Sequence, residues 1–176
     1  MSTKWEMKPL GTQGENMDSR RIPITSGSRE SGPYPYYGAS GIVDYVKDYI
    51  FDENLLLISE DGANLVARVT PIAFSVSGKV WINNHAHVMR FKTLAKQKTV
   101  EQFLNSISLQ DYITGTAQPK LNQEKLNSIP IPCIPAELEE QFAAFVQQTD
   151  KSKFELEQAI NELNATYKGI IKENLG

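Results

Sequence analysis

From Ala136 to about Lys172, apolar residues recur every three or four positions: Leu138, Phe142, Phe145, Val146, Leu156, Ile160, Leu163, Tyr167, Ile170 and Ile171. That is the period of one helix face, so the last quarter of the chain is expected to be a single amphipathic helix. At 1.5 Å per residue it would span ~55 Å, more than the diameter of a small domain. Pro135 suits its first turn, and Glu137, Glu139 and Glu140 complement its dipole. Thr149 and Ser152 interrupt the apolar line, and Phe154 lies off it. Gly169 costs about 1 kcal/mol relative to Ala, so the last turns are expected to fray. The spacing suits a coiled-coil seam or helix pair.

Upstream the pattern is shorter and closer to period two. Leu55–Ile58 reads as a buried strand closed by Glu60-Asp61-Gly62. Val66–Val76 is β-compatible, and Lys79–Phe91 alternates like one strand. Arg20–Ile24 suits a short edge strand, because Pro23 is unsuited to a central one. Gly32–Gly38 is irregular and aromatic. Thr99–Asp111 has helical spacing, with Thr99 and Gln102 as a capping box. Gly115–Leu121 is a loop, and Asn122–Leu126 is one helical turn. Prolines keep Ile129–Pro135 extended. The expected class is mixed α+β: a globular domain over residues 1–132 and a long helix over 133–176.

Composition places limits on function. Hydrophobic content is 40% and charged content 22%, both ordinary for a globular protein. No apolar run is long enough to span a bilayer. The opening Met1-Ser2-Thr3-Lys4-Trp5-Glu6 has no apolar stretch, so no secretory signal is expected. One cysteine, Cys133, allows no internal disulfide, which fits the cytoplasm. It lies between Pro132 and Ile134, with nothing nearby to activate a thiol.

The net charge of -3 is unevenly spread. Residues 1–130 carry 14 basic and 13 acidic side chains, while residues 131–176 carry 4 and 8. The acidity therefore lies in the helix. Between Gly62 and Lys98 there are six cations, Arg68, Lys79, Arg90, Lys92, Lys96 and Lys98, and no acid. Such a stretch is either a polyanion-binding face or chance clustering on a solvated surface.

Catalytic signatures are missing. There is no phosphate-cradling Gly-rich loop, no dinucleotide fingerprint and no nucleophile elbow. The Asn/Asp-Pro-Pro-aromatic run that amino-methyltransferases apply to a flipped base is absent too. His85 and His87 could share a strand face, but the other metal ligands expected nearby are lacking. Recognition chemistry is better represented. Asn64, Asn83, Asn84, Gln118, Asn122 and Gln123 carry amides suited to adenine, and Arg68, Arg90 and Lys120 suit guanine or phosphate.

Five ordered segments carry a resemblance. They are Tyr34-Pro35-Tyr36-Tyr37-Gly38-Ala39-Ser40-Gly41-Ile42, Leu57-Ile58-Ser59-Glu60-Asp61-Gly62-Ala63-Asn64, Trp81-Ile82-Asn83-Asn84-His85-Ala86-His87-Val88, Gly115-Thr116-Ala117-Gln118-Pro119-Lys120-Leu121, and Ile129-Pro130-Ile131-Pro132 with Glu139-Glu140-Gln141. Together they closely resemble the specificity subunit of type I restriction–modification systems. A full subunit has two halves, each a target recognition domain followed by a long helix, and the two helices pair antiparallel. This chain looks like one half, so a homodimer reading an inverted-repeat DNA site is expected.

The resemblance implies a recognition domain with a twisted sheet and loops that enter the major groove of double-stranded DNA. The DNA-contacting residues it implies are Asn64, Arg68, Lys79, Asn83, Asn84, His85, Gln118, Lys120 and Asn122. Asp61 and Gly62, the Gly115 turn and the Ile-Pro repeat would shape the scaffold. The pairing helix would use Leu138, Phe142, Phe145, Leu156, Ile160, Leu163, Tyr167 and Ile170. The implied partners are methyltransferase subunits, which hold S-adenosylmethionine, and a restriction subunit, which uses ATP and Mg. The chain itself would hold no cofactor and perform no catalysis. The competing expectation is a regulatory or decoy half that captures the methyltransferase through the helix.

Overall fold

The computed structural model describes residues 5–175, with side chains described as far as residue 173. The outermost residues of both expected units, 1–4 and 176, lie outside it. In chain order the elements are β1 (Met7–Pro9), β2 (Glu15–Asn16), β3 (Ser31–Gly38), β4 (Gly41–Val46), β5 (Phe51–Asp52) and β6 (Leu55–Ser59). Then come α1 (Asn64–Ala67), β7 (Ala73–Val76), β8 (Lys79–Ile82), β9 (Ala86–Arg90) and α2 (Leu94–Ser106). The chain finishes with α3 (Gln123–Ser128), β10 (Pro130–Pro132) and α4 (Ala136–Leu175).

The run Leu55-Leu56-Leu57-Ile58 organises the core. Every residue of β6 is buried, so both faces of this strand must be covered. Alternation sends successive side chains to opposite sides. Leu56 and Ile58 join Val100 and Leu104 of α2, Leu126 of α3 and Ile131 of β10. Leu55 and Leu57 join Phe51, Val80 and Ile82 from the second sheet. The layers are therefore helices, a central sheet of order β2-β9-β6-β7, and a second sheet of order β4-β3-β8-β5. The central sheet is antiparallel, while β3 and β8 pair in parallel. The mixed α and β content expected from the pattern is present.

Several local expectations change. Lys79–Phe91 is two strands in two different sheets, because the Asn83 side chain accepts the His85 N–H at 2.8 Å and turns the chain. Gly32–Gly38 lies in β3, paired on both sides by β4 and β8. Arg20–Ile24 is not a strand: Asp18–Arg20 form a 3-10 turn, and the Ile24 N–H donates to the Tyr36 hydroxyl. Helix α2 begins five residues before Thr99, capped by the Thr93 hydroxyl, which accepts from the Lys96 N–H. Thr99 instead donates to the Ala95 carbonyl within the helix. In the Val66–Val76 stretch, α1 precedes β7 and ends at Arg68, whose φ of 54° is left-handed.

β1 and β10 pair antiparallel and clasp the start of the globular part to the proline-rich hinge. Beyond the hinge, α4 runs 40 residues, about 60 Å. Its first turns lie on α2. Glu139 and Val146 are buried there, Ala143 is half-buried, and Lys96 Nζ meets Glu139 Oε1 at 3.0 Å. The docked face is thus 139/143/146. The neighbouring Leu138, Phe142 and Phe145 remain 41%, 40% and 67% exposed. From Gln147 onward every described residue of α4 is exposed.

Candidate nucleic-acid interface

Three loops meet where the strands of the central sheet end. The Glu60 N–H donates to the His85 carbonyl at 2.9 Å, and the Gly62 N–H to the Pro119 carbonyl at 3.1 Å. The Leu121 N–H donates to the Glu60 carbonyl at 2.8 Å. The loops after β6, after β8 and before α3 are therefore one surface, set by backbone bonds. Gly115 is required in the third loop. Its φ is +81°, and a Cβ there would come 2.5 Å from the Gln118 carbonyl oxygen.

Beneath this surface lies a buried polar network. His87 Nδ1 lies 2.6 Å from Asp18 Oδ2, and its Nε2 lies 2.7 Å from the Leu121 carbonyl. Asp18 Oδ1 also accepts the Val88 N–H. Arg21 donates to Glu60 Oε2 at 2.6 Å and to the Ala86 carbonyl at 2.8 Å. Lys120 Nζ sits 3.1 Å from Glu60 Oε1. Burial pushes the Asp18 carboxyl upward, but the His87 hydrogen bond and charge, the Val88 N–H and Arg21 outweigh it and hold it below its ordinary value. Glu60 behaves alike: burial raises it, while Arg21, His87 and Lys120 bring it lower overall. Asp18, Glu60 and His87 have ligand atoms close enough to suggest a cation site. Arg21 and Lys120 already supply the balancing positive charge.

The nine expected contact residues separate into groups. Asn83, Asn84, His85, Gln118 and Lys120 belong to the shared surface. Asn84 and Gln118 are exposed there. His85 is exposed and held by Asp61 through Nδ1 at 2.9 Å. The Lys120 side chain is half exposed. Asn83 is buried and shapes the turn. Asn122 caps α3 by accepting the Lys125 N–H. Asn64 closes its own loop by bonding both polar groups of the Thr70 backbone.

Arg68 and Lys79 are placed elsewhere. The Arg68 guanidinium donates to the Leu104 and Ile107 carbonyls at the end of α2, and burial lowers its pKa. Lys79 lies at the opposite end of β8 from Asn83, over the rings of Tyr49 and Tyr34. The acid-free stretch is not an acid-free surface either. Arg90 pairs with Glu15 and Glu53, Lys96 with Glu139, and Lys98 with Glu101. The sequence did not single out Asp18 or Arg21, which position the loops. His87 was visible only as half of a possible metal pair; the fold separates it from His85, burying one ring and exposing the other.

Comparison with known proteins adds to this geometry. Residues 2–165 match the family model described as the type I restriction modification DNA specificity domain. A Haemophilus influenzae protein, named as a type I restriction enzyme specificity subunit, is 36% identical over 130 residues, 74% of this chain and 33% of that protein. The crystal structure of a type I restriction–modification S subunit from M. genitalium superposes with a TM-score of 0.67 at 10% identity, covering 94% of this chain and 44% of that one. The HsdS subunit from Thermoanaerobacter tengcongensis gives 0.52 at 14% identity, covering 90% and 40%. The chain thus spans a third of the curated relative and under half of the solved ones. It belongs to the type I restriction–modification DNA specificity domain family.

Proposed function

We propose that this chain selects the DNA sequence on which a type I restriction–modification complex acts. The observation that carries this reading is the joined loop surface, which presents Asn84, His85, Gln118 and Lys120 over a charge-balanced buried network. Amides and a cation on one rigid face are the groups that read base edges and hold phosphates. In this reading the chain performs no chemistry itself. S-adenosylmethionine belongs to methyltransferase partners, ATP and Mg to a restriction partner, and this chain positions both on double-stranded DNA in the cytoplasm. No described helix is long and apolar enough to cross a membrane. The exposed stretch of α4 pairs with the same stretch of a second copy, and two copies read an inverted repeat.

Methylome sequencing of DNA modified by a type I methyltransferase subunit, with and without this chain, tests the reading. The expected result is adenine methylation at one inverted-repeat motif, seen only when the chain is present. Methylation that ignores sequence, or that does not depend on the chain, overturns it.

A further inference from the structure

The β3–β4 hairpin turns where the three joined loops meet. β3 runs parallel to β8, with Tyr37 opposite Ile82, and the Asn83 N–H donates to the Tyr37 carbonyl at 3.0 Å. The two strands therefore finish side by side. One leads to Asn84 and His85, the other to the Ala39-Ser40 turn. The Ser59 hydroxyl, at the last position of β6, donates to the Ala39 carbonyl at 2.5 Å. Ser59 precedes Glu60, so this bond ties the turn to the loop after β6. The hairpin turn is thus a fourth member of the same surface, anchored on two sides.

The hairpin adds apolar groups to that surface. Ile42 and Val43 are 47% and 56% exposed. The register explains how Val43 comes to be there. Tyr36 lies opposite Asp44 and Tyr37 opposite Ile42, so Val43 is passed over as the extra residue of a β-bulge. A bulge bends its strand and re-aims a side chain. Here the side chain leans across Gly38. A Cβ on Gly38 would stand 3.0 Å from Val43 Cγ1 and 3.5 Å from Asn83 Nδ2. The absence of a side chain at Gly38 lets a Val43 methyl and the Asn83 amide approach one point. The amide has a fixed orientation, because its Oδ1 accepts the His85 N–H. Its Nδ2 has no acceptor among the described residues.

Exposed branched residues on an edge strand are a liability unless something covers them. Continuity with the joined loops indicates that the cover is a DNA duplex. In the major groove only thymine shows an apolar group, its C5-methyl, and it carries the O4 acceptor beside it. A methyl contact next to an amide donor is the complement of that edge.

We infer that the tip of the β3–β4 hairpin reads thymine, with Val43 and Ile42 against its C5-methyl and Asn83 Nδ2 directed at its O4. This rests on the reading that the joined loops face DNA, and it adds a base to that reading.

Deoxyuridine, which is thymidine without the methyl, tests the contact. Methylome sequencing with a type I methyltransferase subunit supplies the motif for the parent and for Val43→Ala. Val43 is exposed, so the variant should melt as the parent does. Its motif should relax at one A·T position and keep the others. In fluorescence anisotropy with the motif duplex, deoxyuridine at that position should weaken the parent about fourfold, as for one buried CH₂. Val43→Ala should bind both duplexes alike. Tyr45→Ala, exposed on the same strand further from the turn, should keep the parent's motif and preference. A parent indifferent to deoxyuridine at every thymine of the motif overturns the contact, as does a Val43→Ala chain that keeps the full preference. Weakened association of both variants with the methyltransferase, with thymine preference unchanged, makes β4 a protein-docking edge and rejects it too. Methylation that does not depend on the chain rejects the DNA reading itself, and the contact with it.

Discussion

His87 Nδ1 and Asp18 Oδ2 stand 2.6 Å apart beneath the joined loops, linking residues 69 positions apart in the chain. Asp18 also ties the network to Arg21 and to the Val88 backbone. Removing its charge leaves Arg21 and His87 short of a partner in a buried place. Asp18→Ala is expected to cost about 3–5 kcal/mol, the range for breaking a buried pair from one side. Urea unfolding measures it, and a change below about 0.5 kcal/mol, as at an ordinary surface site, would refute the assignment.

The same network gives the protein an acid limit. Asp18 and Glu60 both titrate below their ordinary values of 3.8 and 4.5 in the folded chain. Their contribution to stability is therefore complete above those values and is lost as pH falls through the depressed ones. Thermal melts should show stability dropping below about pH 4. The Asp18→Asn chain should show a shallower fall. An equally steep acid transition in that variant would place the proton uptake elsewhere.

Gln118→Ala and Asn84→Ala alter side chains that are exposed on the joined loops. Each is expected to leave folding unchanged. Loss of a base-edge contact should cost about 1–3 kcal/mol of discrimination between target and non-target duplex. Fluorescence anisotropy with both duplexes reads this, and undiminished selectivity in the double variant would exclude these loops as the reading surface.

Arg68→Ala should behave in the opposite manner. Its guanidinium satisfies carbonyls at the end of α2, so the loss is expected in stability, about 1–3 kcal/mol for groups left unpaired. Site preference at a temperature where the variant is folded should be that of the parent. A stable variant with altered preference would return Arg68 to the reading surface.

Leu156→Asp with Leu163→Asp changes two exposed positions of α4, 65% and 69% accessible. The globular part should melt as before. In the proposed pair, each change buries a carboxylate in an apolar seam. Analytical ultracentrifugation should find a monomer, and a surviving dimer would rule out this face as the contact.

How much of the fold was legible in the sequence depends on how local each signal is. Helix α4 was legible because a 3.6-residue period over 40 residues needs no tertiary information. Its length did not show which face docks. That is decided by Glu139, whose partner Lys96 is 43 positions away. The expected strand Lys79–Phe91 failed because alternation does not reveal that Asn83 turns the chain from one sheet to another. Arg68 was visible as a cation, but its commitment to the end of α2 depends on packing. The three loops that the backbone joins fall within the ordered motifs. Asp18 and Arg21 were not legible, because their role arises only when β2 brings the N-terminal turn alongside β9.

The clasp between β1 and β10 has a consequence for how such proteins can diversify. Met7 lies opposite Pro132 and Pro9 opposite Pro130, so the chain enters and leaves the globular part at the same place, one strand spacing apart, about 4.8 Å. A segment with adjacent ends can be exchanged as a cassette without redirecting the helix beyond it. Whatever sequence lies between those strands, α4 still departs from the same point. One feature must travel with the cassette: the face of α2 that carries Lys96, because its bond to Glu139 aims the helix. New loops can then be grafted between the clasped strands while the direction of α4 is inherited unchanged.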